Sequence, residues 1–299
     1  MRIDPNMVPE MLANLQQSQS LLDTALQEVS TGLSVNEPSD NPTAAASMVQ
    51  NTIETGDLDV YTQNVTTALS TVQQAGSVLS SVVTSLTSAV SAGTEGANGT
   101  NSPADLQALA EQVQAILTSV VSAANTSVSG SYLFGGTSTA TPYTANPASP
   151  TGYTYNGNNN TDSVAIGDQT TVQINQPGSQ VFSNATNNVI GSLSSLVSAL
   201  KGGNPATIET ATSGVDSALN YVSQQQVFYG NAETQLNSQE TFLQQDKVTL
   251  STQADNLIGV NESTAATDLS EAETDNSAAL AAVAKVLPNS LLNFLEPPS

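Results

Sequence analysis

Few residues in this chain have types and spacings that could do chemistry. Ser198-Ala199-Leu200-Lys201 has the S-x-x-K spacing that sets a lysine beside a serine nucleophile, and Ser39-Asp40-Asn41 copies the S-D-N element of the same hydrolases. The order along the chain is reversed, and no K-T-G element exists. Lys201 before Gly202-Gly203 reads better as a helix end, with the cation on the negative end of the dipole and a glycine free to turn. Asn156-Gly157-Asn158-Asn159-Asn160-Thr161-Asp162 spaces its oxygens as calcium loops do. It lacks the glycine at the sixth position and a downstream bidentate glutamate, so it reads as a turn between strands. The N-x-[ST] sequons at Asn98, Asn125, Asn184 and Asn261 are expected by chance in so Asn- and Ser-rich a chain.

The composition closes most of the remaining routes. The 299 residues include no Cys and no His, which removes disulfides, thiol nucleophiles, imidazole bases and Cys/His zinc sites. The expectation is a chain that is not an enzyme and holds no cofactor or metal. Four basic residues against 26 acidic ones give a formal charge of -22, so nucleic acid and anionic lipid should be repelled. Only 10% of residues are charged, which leaves an exterior of Ser, Thr, Asn, Gln and Gly. Such a surface is cheaper to strip of water when copies stack.

No window of about 18 apolar residues stands out, so no membrane span is expected. Met1-Arg2-Ile3-Asp4-Pro5-Asn6 carries an acid and a proline where a signal peptide needs its apolar region. An extracellular location would therefore imply export without a cleaved N-terminal signal.

The elements that must position any functional surface are helices. Val8, Leu12, Leu15, Leu22, Leu26, Val29 and Leu33 follow heptad spacing, with Gln19 the one interruption. Gly32, Pro38 and Pro42 break the pattern. Val65, Leu69, Val72, Leu79, Val83, Leu86 and Val90 mark a second helix, with Gly76 as its gap. After a turn over 93–102, Ser102 and Pro103 offer an N-cap and a first-turn proline to a third, carrying Leu106, Leu109, Val113, Ile116 and Val120. These two helices should pair as an antiparallel hairpin.

Between Gly130 and Phe182 the composition shifts to Gly, Pro, Asn, Thr and Tyr. Ser163 to Ile166 and Thr171 to Asn175 alternate with period two, so a small β-domain is expected there. Then Ile208, Val215, Val222, Tyr229, Leu236, Leu243, Leu250 and Leu257 repeat every seven residues without a miss. A final segment holds Leu269, Leu280, Val283, Leu287, Leu291 and Phe294. Neither helical half can bury its stripe alone, so the fold class expected is mainly α. N- and C-terminal halves would form one long antiparallel rod around a small inserted β-domain.

Specific residues carry a resemblance. Ser30, Thr31, Gly32, Asn36, Ser39, Asp40 and Pro42, within S-T-G-L-S-V-N-E-P-S-D-N-P, resemble the N-terminal signature of the flagellin superfamily. Tyr132, Phe134 and Gly135, in Y-L-F-G-G before Thr141-Pro142-Tyr143, are similar to its hook-filament junction branch, as are Asn98-Gly99-Thr100, Pro177-Gly178 and the ending Ser290 to Leu295. Asn41 stands where the family usually has a second Asp, and Ser34 where it usually has a basic residue. Pro288 falls inside the last helix, where it would kink or end it.

The resemblance implies an extracellular structural role in the bacterial flagellum, with type III export and a ring of copies. Implied partners are the chain itself, another hook-associated protein on the hook side, flagellin on the filament side and an export chaperone before secretion. A flagellin filament subunit is the alternative, and a secreted helical adhesin or effector a third reading. Residues 1–52 with 258–299 would form a terminal coiled-coil domain, 53–131 with 184–257 a helical rod, and 132–183 the β-rich insertion. The expected assembly interface is Leu12, Leu15, Leu22, Leu26 and Val29 at one end of the chain. At the other it is Leu280, Val283, Leu287, Leu291, Leu292, Phe294 and Leu295.

Overall fold

The computed structural model describes residues 7–128 and 130–295, with side chains from Pro9 to Lys285. Among these residues seven helices and six short strands follow in order. They are α1 (Met7–Thr31), α2 (Pro42–Gly96), α3 (Pro103–Ala124), β1 (Ser127–Val128), β2 (Ser131–Tyr132), β3 (Tyr143–Ala145), β4 (Tyr153–Tyr155), β5 (Ser163–Gly167), β6 (Thr170–Gln173), α4 (Gly178–Val181), α5 (Val189–Gly202), α6 (Pro205–Ile258) and α7 (Glu262–Leu295). The chain is mainly α, with long antiparallel helices and a small β region between the helical halves. It divides into two compact units, Met1–Asp57 with Gln245–Ser299, and Leu58–Gln244.

The second unit holds the large core. Every seven-residue stripe position of α6 from Ile208 to Leu243 is buried, as are Val65, Leu69, Val72, Leu79 and Leu86 of α2. The Gln73 amide donates to Glu233 at 2.9 Å, and Gly76 lies opposite Tyr229, so α2 and α6 run antiparallel. Gly76 thus fills its gap in the stripe for a reason: it faces the largest fully buried side chain on α6, and an added Cβ would lie 3.9 Å from that of Tyr229. Beyond it the buried face of α2 turns to Val78, Val82 and Ala89, leaving Val83 and Val90 half-exposed. There α2 meets a second neighbour, since a Cβ on Gly93 would lie 3.2 Å from Leu196 of α5.

Helix α3 packs along α5 and begins as its sequence asks. Ser102 accepts from the Asp105 amide and Asp105 from that of Ser102, a complete capping box with proline at N1. These bonds, the Ser102 side chain first, hold the Asp105 carboxyl below its ordinary range. Leu117 rather than Ile116 faces inward. Lys201 ends α5, and Gly203 closes it in the left-handed region at φ 69°.

The β region is three antiparallel hairpins. In β5–β6, Val164 pairs with Val172, and Ile166, Val172 and Ile174 are buried. Helix side chains hold this hairpin by its backbone: Gln239 Nε2 donates to the Ile166 carbonyl at 2.9 Å and Asn64 Nδ2 to that of Ala165 at 2.9 Å.

One expectation is narrowed and one needs correction. Helix α7 runs on through Pro288 to Leu295, so the proline does not end it. Proline has no amide hydrogen to give the Ala284 carbonyl. Helix α2 does contain an 18-residue window apolar enough to cross a membrane, with mean hydropathy 1.3 and 39% of it buried. The cause is its Ala, Val and Leu content with no charge between Val60 and Thr94, and its apolar face is core in the second unit.

Candidate assembly interface

In the first unit, the segment joining α1 to α2 is tied to the segment joining α6 to α7. Gly32 leaves α1 in the left-handed region at φ 71°, its amide donating to Glu28 at 2.9 Å. The Val260 amide then donates to Gly32 at 3.0 Å, the Ser34 amide to Ile258 at 2.6 Å, and Leu33 bridges Gly259. Asp40 accepts from the amides of Asn36 and Glu37 at 3.1 and 2.8 Å, which closes the turn without any cation. Asn41 caps α2 by accepting from the Ala44 amide at 3.0 Å, and Pro42 takes the first helical position. Further along, buried Asn51 donates to the Leu250 carbonyl at 2.8 Å, joining the start of α2 to the end of α6.

These ties set α1 antiparallel to α7. The inward positions of α1 are Met11, Leu15, Ser18, Leu22 and Ala25, and those of α7 are Ala265, Leu269, Ala272, Asn276, Ala279 and Val283, both in four-three spacing. The seam is weak. Its only fully buried apolar side chains among the described residues are Ala25 and Ala265. Ser18 Oγ and Asn276 Oδ1 lie in it with no hydrogen-bond partner among the described residues.

The expected interface residues therefore divide. Leu15, Leu22 and Val283 lie half-buried in the α1–α7 seam. Leu12, Leu26, Val29 and Leu280 are 47, 46, 45 and 49% exposed. At 100° per residue, Leu12, Leu26 and Leu280 fall on one flank of their helices, which in an antiparallel pair is one shared edge. The side chains of Val8, Leu287, Leu291, Leu292, Phe294 and Leu295 lie outside the described residues. Sequence reasoning missed Ala25, Asn51 and Ala265, because small and polar residues leave no hydrophobic signal at inward positions.

The Tyr132 to Gly136 motif lies in the second unit, with Leu133, Phe134 and Gly135 buried. Phe134 is fully buried with its ring edge-on to Phe182 at 5.0 Å, and its carbonyl accepts from the Gly178 amide at 2.7 Å and the Tyr155 hydroxyl at 3.0 Å. Gly135 is buried, and a Cβ there would lie 3.1 Å from that of Tyr132. Tyr132 is half-buried, its hydroxyl paired with Thr141 at 3.1 Å. Tyr143 donates to the Gly178 carbonyl at 2.7 Å, and burial pushes its phenol well above the ordinary value. Tyr229 is raised for the same reason, its hydroxyl accepting from the Gln176 amide at 3.2 Å.

The hydrolase and calcium resemblances dissolve in the geometry. Ser198 donates back to Ser194 at 3.0 Å, and Asp40 is taken up by the turn. Asn158 Oδ1 accepts from the amides of Thr137 and Asn160 at 3.0 and 3.1 Å.

Residues 6–139 match the family model for the bacterial flagellin N-terminal helical region, and residues 212–295 that for the bacterial flagellin C-terminal helical region. The chain belongs to the flagellin superfamily. It is 30% identical over 192 residues to flagellar hook-associated protein 3 of Salmonella typhimurium, an alignment covering 64% of this chain. That alignment spans 59% of the relative's length. Crystal structures share the fold: FlgL of Bacillus cereus, with TM-score 0.60, 21% identity, and coverage of 69% of this chain and 99% of that one. The flagellar junction protein FlgL of Legionella pneumophila gives TM-score 0.60 and 16% identity, covering 72% of this chain and all of that one.

In this flagellin-superfamily chain the signature Ser30 to Pro42 works as a backbone clasp. Thr31 donates to Gln27 at 2.8 Å and receives the Leu33 amide at 3.2 Å, while Asn36 donates to the Leu33 carbonyl at 2.9 Å. Ser39 donates to Glu37 at 3.3 Å, and Ser30 is exposed. Both departures from the family pattern have local partners. Asn41 caps a helix, and the Ser34 hydroxyl donates to Ile258 at 3.1 Å.

Proposed function

We propose that this chain is a structural subunit of the bacterial flagellum, added between hook and filament, whose terminal helices associate with those of other copies. The single observation that carries the reading is the unfinished α1–α7 pair, with its thin seam and its shared edge of Leu12, Leu26 and Leu280. Of the eleven large exposed apolar side chains among the described residues, eight belong to the first unit, the smaller of the two. Burying such residues fully contributes about 1.5–3 kcal/mol each, so a neighbouring copy supplies the stability that the pair lacks alone.

In this reading 1–52 with 258–299 form the contact layer between copies. Residues 53–131 with 184–257 support it, and 132–183 face solvent. The chain leaves the cell through the type III apparatus, escorted by an export chaperone, and contacts a hook-associated protein on one side and flagellin on the other. Names of relatives support this placement: hook-associated protein 3 in Salmonella and the junction protein in Legionella. The filament-subunit reading draws on the two family models, which describe flagellin itself.

Sedimentation velocity tests the contact. The triple variant Leu12→Asp, Leu26→Asp, Leu280→Asp should keep its helical circular dichroism and remain a monomer at concentrations where the unaltered chain forms larger species. Equal assembly of both would remove the edge from the interface.

A further inference from the structure

The sequence holds two Asn-Gly steps, Asn98-Gly99 in the turn from α2 to α3 and Asn156-Gly157 after β4. A glycine after asparagine lets the backbone nitrogen swing onto the side-chain carbonyl carbon, because no Cβ obstructs the approach. The fold treats the two steps differently. Asn98, Gly99 and Thr100 are all exposed, and a Cβ on Gly99 would meet nothing within 4 Å. Asn98 Oδ1 accepts from the Thr100 amide at 3.3 Å and from the Thr100 hydroxyl at 3.0 Å. Asn98 Nδ2 has no acceptor among the described residues. At Asn156 the pattern is inverted, since there the nitrogen is held: Nδ2 donates to Thr144 Oγ1 at 2.8 Å. The backbone is pinned on both sides of Gly157, with the Asn156 amide donating to Pro142 at 2.7 Å and the Asn158 amide to Gly135 at 3.1 Å. Gly157 also has no room to swing, because an added Cβ would lie 2.8 Å from the Gly135 carbonyl oxygen and against the Tyr155 hydroxyl.

We propose that Asn98 is a site of self-modification, cyclising onto the Gly99 nitrogen and opening to aspartate or isoaspartate, and that the fold shields Asn156 from the same reaction. The inference does not depend on the assembly reading above. In the first step the Gly99 nitrogen gives its proton to hydroxide and bonds to Asn98 Cγ. Negative charge develops on Oδ1, where the two Thr100 donors already stand. The Cγ–Nδ2 bond then breaks, and Nδ2 takes a proton from water and leaves as ammonia, closing a five-membered imide. Water opens either carbonyl of that ring, which gives aspartate or an isoaspartate whose main chain runs through the former side chain. Nothing is oxidised or reduced, and the balance is one water in and one ammonia out. Either product sets a carboxylate just past the carbonyl end of α2, three residues after Glu95, where negative charge is unfavourable. Isoaspartate also lengthens the main chain inside the turn closed by the Asn101 amide on the Asn98 carbonyl at 3.2 Å, so the modification loosens the α2–α3 connection.

The experiment incubates the full chain at pH 8.5 and 37 °C and follows both sites by tandem mass spectrometry of proteolytic peptides. In the folded chain Asn98 should convert at least about tenfold faster than Asn156, which corresponds to about 1.4 kcal/mol of barrier. In denaturant the two rates should converge. Thr100→Val removes the hydroxyl donor and should slow Asn98 about threefold or more in the folded chain, with no effect in denaturant. Gly99→Ala places its methyl in open space and should nearly abolish conversion with helical circular dichroism retained. Equal rates at Asn98 and Asn156 in the folded chain overturn the proposal. So does a rate at Asn98 that Thr100→Val leaves unchanged, or a ratio between the sites that persists in denaturant.

Discussion

Asn41 shows how one side chain carries a family position by different means. Where the family usually has aspartate, asparagine still presents an oxygen to the Ala44 amide, so the cap on α2 survives without the charge. Asn41→Ala should destabilise the first unit by about 1 kcal/mol, and Asn41→Asp should be close to neutral. Thermal unfolding followed by circular dichroism checks the pair, and equal losses for both would deny the cap. The sequence named this loop, yet not its partner. A turn whose bonds run from backbone to backbone, as from Ser34 to Ile258 across more than two hundred residues, leaves no pattern in residue types. Tyr132, Phe134 and Gly135 entered by resemblance as family signature at the entry to the β region, where Phe134 and Gly135 are buried and Tyr132 is half-buried.

At the scale of elements, the seven-residue repeat of α6 was legible because large apolar side chains alternate with exposed polar ones through its length. Leu243 is 1% exposed and Gln244 next to it lies on the surface. Leu243→Asp should therefore cost about 3 kcal/mol or more through lost packing and a buried charge, and Gln244→Asp should be nearly silent. Denaturant midpoints of the two variants decide it, and similar losses would mean that the face is wrongly placed. Helix α2 was less legible. Its first four turns after Pro42 carry mostly Ala, Asn and Thr, so the helix starts more than twenty residues before its stripe becomes visible at Val65. Its buried face then rotates as a second helix joins the first, and a single heptad template follows only one partner. Helix α5 escaped notice except at its glycine end, since fourteen residues give too few turns for a stripe to declare itself.

The whole molecule joins one well-filled unit to one thinly filled unit. The second unit buries its stripes within itself, while the first keeps Leu12, Leu26, Val29 and Leu280 half in water around a seam whose larger apolar side chains are only half-buried. That contrast is the physical basis for reading the terminal helices as parts completed by other copies, and a wholly self-sufficient bundle would have no use for it. It does not by itself separate a short layer from a long filament, because both use the same kind of contact. A layer that ends must present different surfaces to its two neighbours, whereas a contact that repeats head to tail grows without limit. The most direct measurement is antibody labelling of this chain on isolated flagella with hooks attached. The account predicts a single narrow band where hook meets filament. Label distributed along the filament would contradict it and make the chain a filament subunit.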